Sequence, residues 1–168
     1  MTAAAGTPAH ERLRRTEALR SLLPLAAEII HQALAAPRAI QHKGSVDIVT
    51  ETDLAVERCL VTALQERFPQ DAFLAEESGA APSTNPYLWI IDPIDGTTNF
   101  GNGLPHFCIS VALQYDGDTV YGSILDPVKQ HHFEAQLSLG AWLNSKPIQV
   151  THTEELINAL LATGFSYD

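Results

Sequence analysis

From His10 onward, apolar residues recur at helical spacing. Leu13, Leu19, Leu22, Leu23, Ala26, Ile29, Ile30 and Leu34 keep mostly to one face, which predicts a long amphipathic helix. Pro24 lies inside that run and is expected to kink the helix or start a new turn, and Pro37 lies beyond its end. A polar stretch, Gln41 to Asp53, leads to a second amphipathic face made of Leu54, Leu60, Val61, Leu64 and Phe68. Thr52 is placed as its N-cap and Pro69 as its stop. The period then shortens. Ala72-Phe73-Leu74-Ala75 is a short apolar run ending in Glu76-Glu77-Ser78, followed by a loop of small residues, Gly79 to Asn85. Tyr87 to Ile91 reads as a strand, and Phe107 to Leu113 as a buried one. Asp116-Gly117-Asp118 signals a hairpin returning through Thr119 to Leu125. Further strands are expected at His131 to Gln136 and, after a turn near Gly140, around Pro147 to Val150, with Thr153 capping a short helix through Leu160. Two helices followed by a largely antiparallel sheet make an α+β layered fold.

Composition narrows this only a little. The 168 residues suffice for one domain. Residues 1–9 are expected to be a flexible N-terminus and 10–168 a single α+β domain. Hydrophobic residues at 45% and charged residues at 18% exclude a disordered tail. The net charge of −10 argues against nucleic acid or an anionic membrane surface as partner. No apolar stretch approaches the ~18 residues of a membrane span, and Met1 onward carries no signal-peptide apolar segment. The expected location is the cytoplasm, where Cys59 and Cys108, lacking metal-ligand spacing, are expected to be buried free thiols.

The candidate chemistry lies in Trp89 to Phe100, an apolar strand ending in Asp92 and Asp95 and followed by Gly96-Thr97-Thr98. The acids can hold a divalent metal, and the hydroxyls can position a water. The backbone N–H groups after Gly96 can bind an anion if a helix begins there. Asp-Pro and Asp-Gly are also ordinary turn formers. Asp53, at a helix start, could equally be a cap, and Glu76 with Glu77 a solvated turn. The functional case is joint: if the strands ending at Glu76 and Asp92 are sheet neighbours, Glu76, Asp92 and Asp95 converge at one edge. Carboxylates so close repel unless a cation neutralises them. Hard oxygen ligands suit Mg²⁺ or Mn²⁺, and two such ions roughly 3.5–4 Å apart clamp the attacking and leaving oxygens of an in-line phosphoryl displacement. An acidic chain also accepts a phosphorylated molecule only if cations lie between them.

Asp92-Pro93-Ile94-Asp95-Gly96-Thr97-Thr98-Asn99-Phe100 resembles the first signature of the inositol monophosphatase family, metal-dependent and lithium-sensitive phosphatases. Lys43-Gly44, Asp47 to Asp53, Ala75-Glu76-Glu77-Ser78, Leu104-Pro105-His106-Phe107 and Gly140 to Asn144 agree with the family in order, and the match runs from about Glu17 to Asp168. The resemblance implies Glu76, Asp92, Asp95 and the Ile94 carbonyl as metal ligands for two or three Mg²⁺ ions, with Mn²⁺ as a substitute. It implies the N–H groups of Gly96 and Thr97 as a phosphate cradle. Asp95 and Lys43 join them on the substrate side, Lys43 from a loop near a further metal position. Thr97 and Asp53 would orient and deprotonate the attacking water, with Glu76 sharing that task. The implied activity is hydrolysis of myo-inositol 1-phosphate by a homodimer. Thr97-Thr98-Asn99-Phe100 resembles the inositol branch more than those acting on histidinol phosphate, fructose 1,6-bisphosphate or nucleotide 3′-phosphates. The family's second signature, Trp-Asp-x-Ala-Ala-Gly, is not found in these residues. The chain is therefore expected to correspond to the N-terminal half of the αβαβα sugar-phosphatase fold, lacking the C-terminal α/β half and short of full turnover alone. The alternative from another class is a non-catalytic interaction protein that keeps the scaffold.

Overall fold

A computed structural model describes residues 7–35, 40–43, 47–81 and 84–163, without the side chains of 40–43, 47–50 and 81. Helix α1 spans Pro8–Ala35. Proline suits the first helical position, where its missing N–H costs nothing, and the Thr7 hydroxyl accepts the His10 N–H at 3.3 Å. The helix passes through Pro24 as one element. Pro24 is exposed, so the carbonyl it leaves unpaired can turn to water. Pro37 lies outside the described residues.

The stretch expected to be merely polar contains two strands, β1 (Ile40–Lys43) and β2 (Asp47–Thr50), paired antiparallel with Lys43 opposite Asp47. Their β-branched residues, Ile40, Ile48, Val49 and Thr50, carry the strand preference that the polar neighbours obscured. β2 runs directly into α2 (Glu51–Arg67), so Thr52 is not the N-cap. Thr52 and Asp53 lie inside the first turn, and both are buried.

The remaining strands are β3 (Ala72–Ala75), β4 (Gly79–Ala81), β5 (Tyr87–Asp95), β6 (Cys108–Tyr115), β7 (Asp118–Asp126), β8 (His131–Gln136), β9 (Gly140–Leu143) and β10 (Lys146–Ile148), with a short helix α3 (Thr97–Gly101) after β5. They form one eight-stranded sheet in the order β10-β9-β8-β7-β6-β5-β3-β4. Every pairing is antiparallel except β3 with β5. The expected α+β layering is observed: helices on a mixed, mostly antiparallel sheet. β4 occupies the predicted small-residue loop, and β9 lies where a turn was expected. Asp116 (φ 51°) and Gly117 (φ 87°) make the two-residue turn between β6 and β7, a left-handed pair that matches strand twist. The helix expected from Thr153 is only a 3-10 turn, Leu156–Asn158. Leu156, Ile157, Leu160 and Leu161 are all strongly exposed. Among the described residues no surface takes their apolar side, and so short a helix does not form without packing.

The core lies between the helices and one sheet face. Leu19, Leu22, Leu23, Ala26 and Ile30 of α1 and Val56, Leu60 and Leu64 of α2 pack with Trp89, Ile91, Ile109, Val111 and Leu113. One ion pair is built into it. Arg15 holds Asp71 bidentately, Nε to Oδ2 at 2.8 Å and Nη2 to Oδ1 at 2.7 Å. Trp89 Nε1 donates to the same Oδ2 at 3.0 Å, and the guanidinium lies 3.7 Å from the Tyr87 ring centroid. α1 is thereby fixed to the start of β3 and to β5. Among the described residues no helix is long and apolar enough to cross a membrane.

Candidate active site

The site begins with the one parallel pair. β3 and β5 run side by side with Ala75 opposite Ile91, and the Glu76 N–H donates to the Ile91 carbonyl at 3.1 Å. The condition set by the sequence is met, since Glu76 and Asp92 leave neighbouring strands at the same end. Along β5, Tyr87, Trp89 and Ile91 face the helices and Asp92 lies on the other side, half-buried. Strict alternation would send Asp95 into the core beside Trp89. The pairing with β6 instead shifts register between Asp92 and Asp95, so Ile94 takes the buried position and Asp95 is exposed.

Gly96 then adopts a left-handed φ of 98° and starts α3. A Cβ there would stand 3.0 Å from the His106 carbonyl oxygen and 3.2 Å from Phe107 Cβ, so the position requires glycine twice over. The turn presents the Thr97 hydroxyl to two acceptors, Asp53 Oδ1 at 3.2 Å and the Ile94 carbonyl at 2.9 Å. Asp53 is thus no cap. It is buried, on the first turn of α2, beside the strand-end residues.

The electrostatics are those of crowded acids. Burial pushes the Asp92 carboxyl up to about 7, reinforced by the charge of Glu76, a hydrogen bond with it, and the charges of Asp95 and Asp53. Among the described residues, Asp92 Oδ1 is buried with no hydrogen-bond partner. A buried acceptor of this kind is costly unless something satisfies it. A carboxylate oxygen among other carboxylates is best satisfied by a cation, and oxygen donors suit a hard divalent one. The residues present therefore fit such an ion. The set is open, however: among the described residues no three or more His, Cys, Asp or Glu side chains stand close enough to hold a metal ion as they are.

Of the residues singled out in the sequence, the structure brings together Glu76, Asp92, Ile94, Asp95, Gly96, Thr97 and Asp53. Lys43 belongs to β1, and its side chain lies outside the described residues. Cys59 and Cys108 are free and half-buried. Cys108 Sγ lies 4.0 Å from Asp95 Oδ2, and burial pushes its thiol up to about 11. Asp95 and Gly96 also line a cavity of about 510 Å³ with His106, Asp126, His131 and Phe133.

Sequence reasoning missed Glu57. Its buried carboxylate accepts the backbone N–H of Glu77 at 2.7 Å and of Ser78 at 2.9 Å. The available signal was position: Asp53, Val56, Glu57, Leu60 and Leu64 share one helical stripe, and a charge on an apolar stripe needs a partner.

Residues 13–168 match the inositol monophosphatase family. An inositol-1-monophosphatase from Synechocystis sp. is 45% identical over 131 residues, 77% of this chain and 46% of that protein. The Nus factor SuhB of Pseudomonas aeruginosa is 42% identical over 132 residues, 77% of this chain and 49% of that protein. An IMPase/NADP phosphatase crystallised with Mg²⁺ and phosphate superposes with a TM-score of 0.73 at 28% identity, covering 80% of this chain and 52% of that one. The chain spans about half the length of the curated relatives it matches.

Proposed function

The chain belongs to the inositol monophosphatase family, and on that premise we propose that it serves a divalent-metal-dependent phosphomonoesterase acting on an inositol monophosphate, myo-inositol 1-phosphate. The observation that carries this reading is the buried Asp92 Oδ1 beside Glu76, which has no hydrogen-bond partner among the described residues. Glu76, Asp92, Asp95 and the Ile94 carbonyl would hold the metal, Mg²⁺ as two or three ions or Mn²⁺ in its place. Such an ion supplies Lewis-acid polarisation of phosphoryl oxygens and makes water a nucleophile near neutral pH.

The chain's own residues do the rest. The N–H groups of Gly96 and Thr97 receive phosphate oxygens, with Asp95 on the substrate side and Lys43 near a further cation position. The attacking water is held at the Thr97 hydroxyl. Its proton passes toward Asp53 Oδ1, which already lies 3.2 Å from Thr97 Oγ1, and Glu76 shares the base role. Solvent exclusion around Asp53 strengthens that interaction. The solved relative with Mg²⁺ and phosphate and the relative named inositol-1-monophosphatase support this reading. We place the protein in the cytoplasm as a homodimer.

The test is phosphate release from inositol 1-phosphate, histidinol phosphate, fructose 1,6-bisphosphate and a nucleotide 3′-phosphate, with Mg²⁺ and with EDTA. Preference for inositol 1-phosphate and loss with EDTA are expected. Preference for another substrate overturns the substrate assignment, and EDTA-resistant hydrolysis overturns the metal. A second reading, action through a protein partner, is favoured by the relative named Nus factor SuhB. Asp95→Asn separates the two: the enzyme reading requires near-complete loss of hydrolysis in a folded protein, the partner reading unchanged partner binding.

A further inference from the structure

The turn that carries Glu76 is held from outside the sheet. After Ala75 the chain leaves β3, and the Glu76 N–H stays in the ladder through the Ile91 carbonyl. The next two N–H groups, those of Glu77 and Ser78, both point to one carboxylate, with Glu77 to Glu57 Oε2 at 2.7 Å and Ser78 to Glu57 Oε1 at 2.9 Å. Each oxygen takes one N–H, so the carboxylate spans the turn as a bidentate clamp. Hydrogen bonds to an ionised acceptor are shorter and stronger than neutral ones. Glu57 itself is 5% exposed, which keeps water from competing.

Asp53 stands one helical turn before Glu57 on the same face of α2. It meets Thr97, on the turn after β5, at 3.2 Å. One rigid helix therefore grips both strand ends, Asp53 at the Thr97 side and Glu57 at the Glu76 side. α2 therefore acts together with the β3–β5 pairing in setting the distance between the Glu76 and Thr97 segments.

We infer that Glu57 is a positioning residue for Glu76: it holds the turn after β3 so that the Glu76 carboxylate stays beside Asp92, within reach of a cation shared with it. This rests on the metal site proposed above. Groups that orient a ligand from behind typically change metal affinity or activity by ~10–100-fold when replaced. Glu57→Gln keeps the size of the side chain but presents an amide NH₂ to one of the two N–H donors, so one clamp bond is lost and a donor faces a donor.

The experiment is a Mn²⁺ titration of the full chain followed by electron paramagnetic resonance of free Mn²⁺, on wild type, Glu57→Gln and Glu57→Asp. Amide hydrogen exchange is read at Glu77 and Ser78. Glu134→Gln, in a buried network between α1 and β8, is the control for a general loss of stability. Expected for Glu57→Gln is Mn²⁺ affinity about 10-fold weaker or more, with faster exchange at Glu77 and Ser78 and unchanged protection in β5. Glu57→Asp, which keeps the charge on a shorter arm, falls between it and wild type. It carries the same comparison if Glu57→Gln does not fold. Glu134→Gln lowers the melting temperature without moving the affinity. Wild-type affinity in both Glu57 variants, or an equal weakening in Glu134→Gln, overturns the positioning role while leaving the metal site standing. A wild-type chain that binds no Mn²⁺ overturns the metal reading and this inference with it.

Discussion

Gly96→Ala tests how the phosphate-side turn is built. The backbone there sits at φ 98°, where a side chain costs about 1–2 kcal/mol. The new methyl would also meet the His106 carbonyl oxygen at 3.0 Å and Phe107 Cβ at 3.2 Å, neither of them the loose end of a flexible side chain. Relieving such crowding costs typically 1–3 kcal/mol. The two terms together predict a loss of about 2–5 kcal/mol. Gly117→Ala separates them, since Gly117 has a φ of 87° but nothing within 4 Å of its would-be Cβ. That variant should lose only the conformational term, about 1–2 kcal/mol. Urea unfolding of both variants at one pH gives the comparison, and the difference between them is the contribution of close approach. Equal losses in the two variants would refute the crowding at His106 and Phe107. A Gly96→Ala loss below about 0.5 kcal/mol, the scale of ordinary surface substitutions, would refute the whole argument.

Two further predictions concern the packing that supports the site. Arg15→Ala should cost about 3–5 kcal/mol in denaturant unfolding, because it removes the cation from the buried Asp71 carboxylate and leaves it the neutral donor Trp89 Nε1; a cost near 1 kcal/mol, that of a single ordinary hydrogen bond, would show the pair to be dispensable. Glu134 gives a pH dependence. Burial works to raise its carboxyl, but the Tyr121 hydroxyl and the Arg20 guanidinium outweigh it and hold the group below the usual carboxylate range. The unfolded chain then binds the proton more readily. The stabilisation from Glu134 is therefore present above about pH 4.3, the ordinary value, and is lost as pH falls through the depressed folded value. The stability difference between wild type and Glu134→Gln should shrink on acidification below about pH 4; a difference independent of pH would contradict the assignment.

The legible parts of the fold were those where local chemistry and global packing agree. β8 lies where a strand is expected at His131 to Gln136, and the β6–β7 hairpin follows from Asp116-Gly117, whose left-handed conformation those residues tolerate. The meeting of Glu76 with Asp92 could be stated only as a condition, because a parallel pairing between β3 and β5 is a property of the sheet and not of either segment. Asp95 reaches the surface through a register shift that no local pattern announces. Glu57 was passed over because a glutamate on a helix ordinarily reads as solvated, and its two partners lie 20 and 21 residues away. The helix from Thr153 failed for the opposite reason. Its apolar spacing was real, but the described residues offer no surface against which to bury it.

The central claim is that the acids at the ends of β3 and β5 form a divalent-metal site. Calorimetric titration of Mg²⁺ into wild type and Asp92→Asn tests it most directly. Asp92→Asn removes a negative charge that burial already disfavours, so the metal-free variant should fold with an unchanged or higher melting temperature while its Mg²⁺ affinity falls at least about 10-fold, the lower end of the loss seen even for residues that only orient a ligand. Equal Mg²⁺ binding by the two proteins, or none by wild type, would contradict the claim.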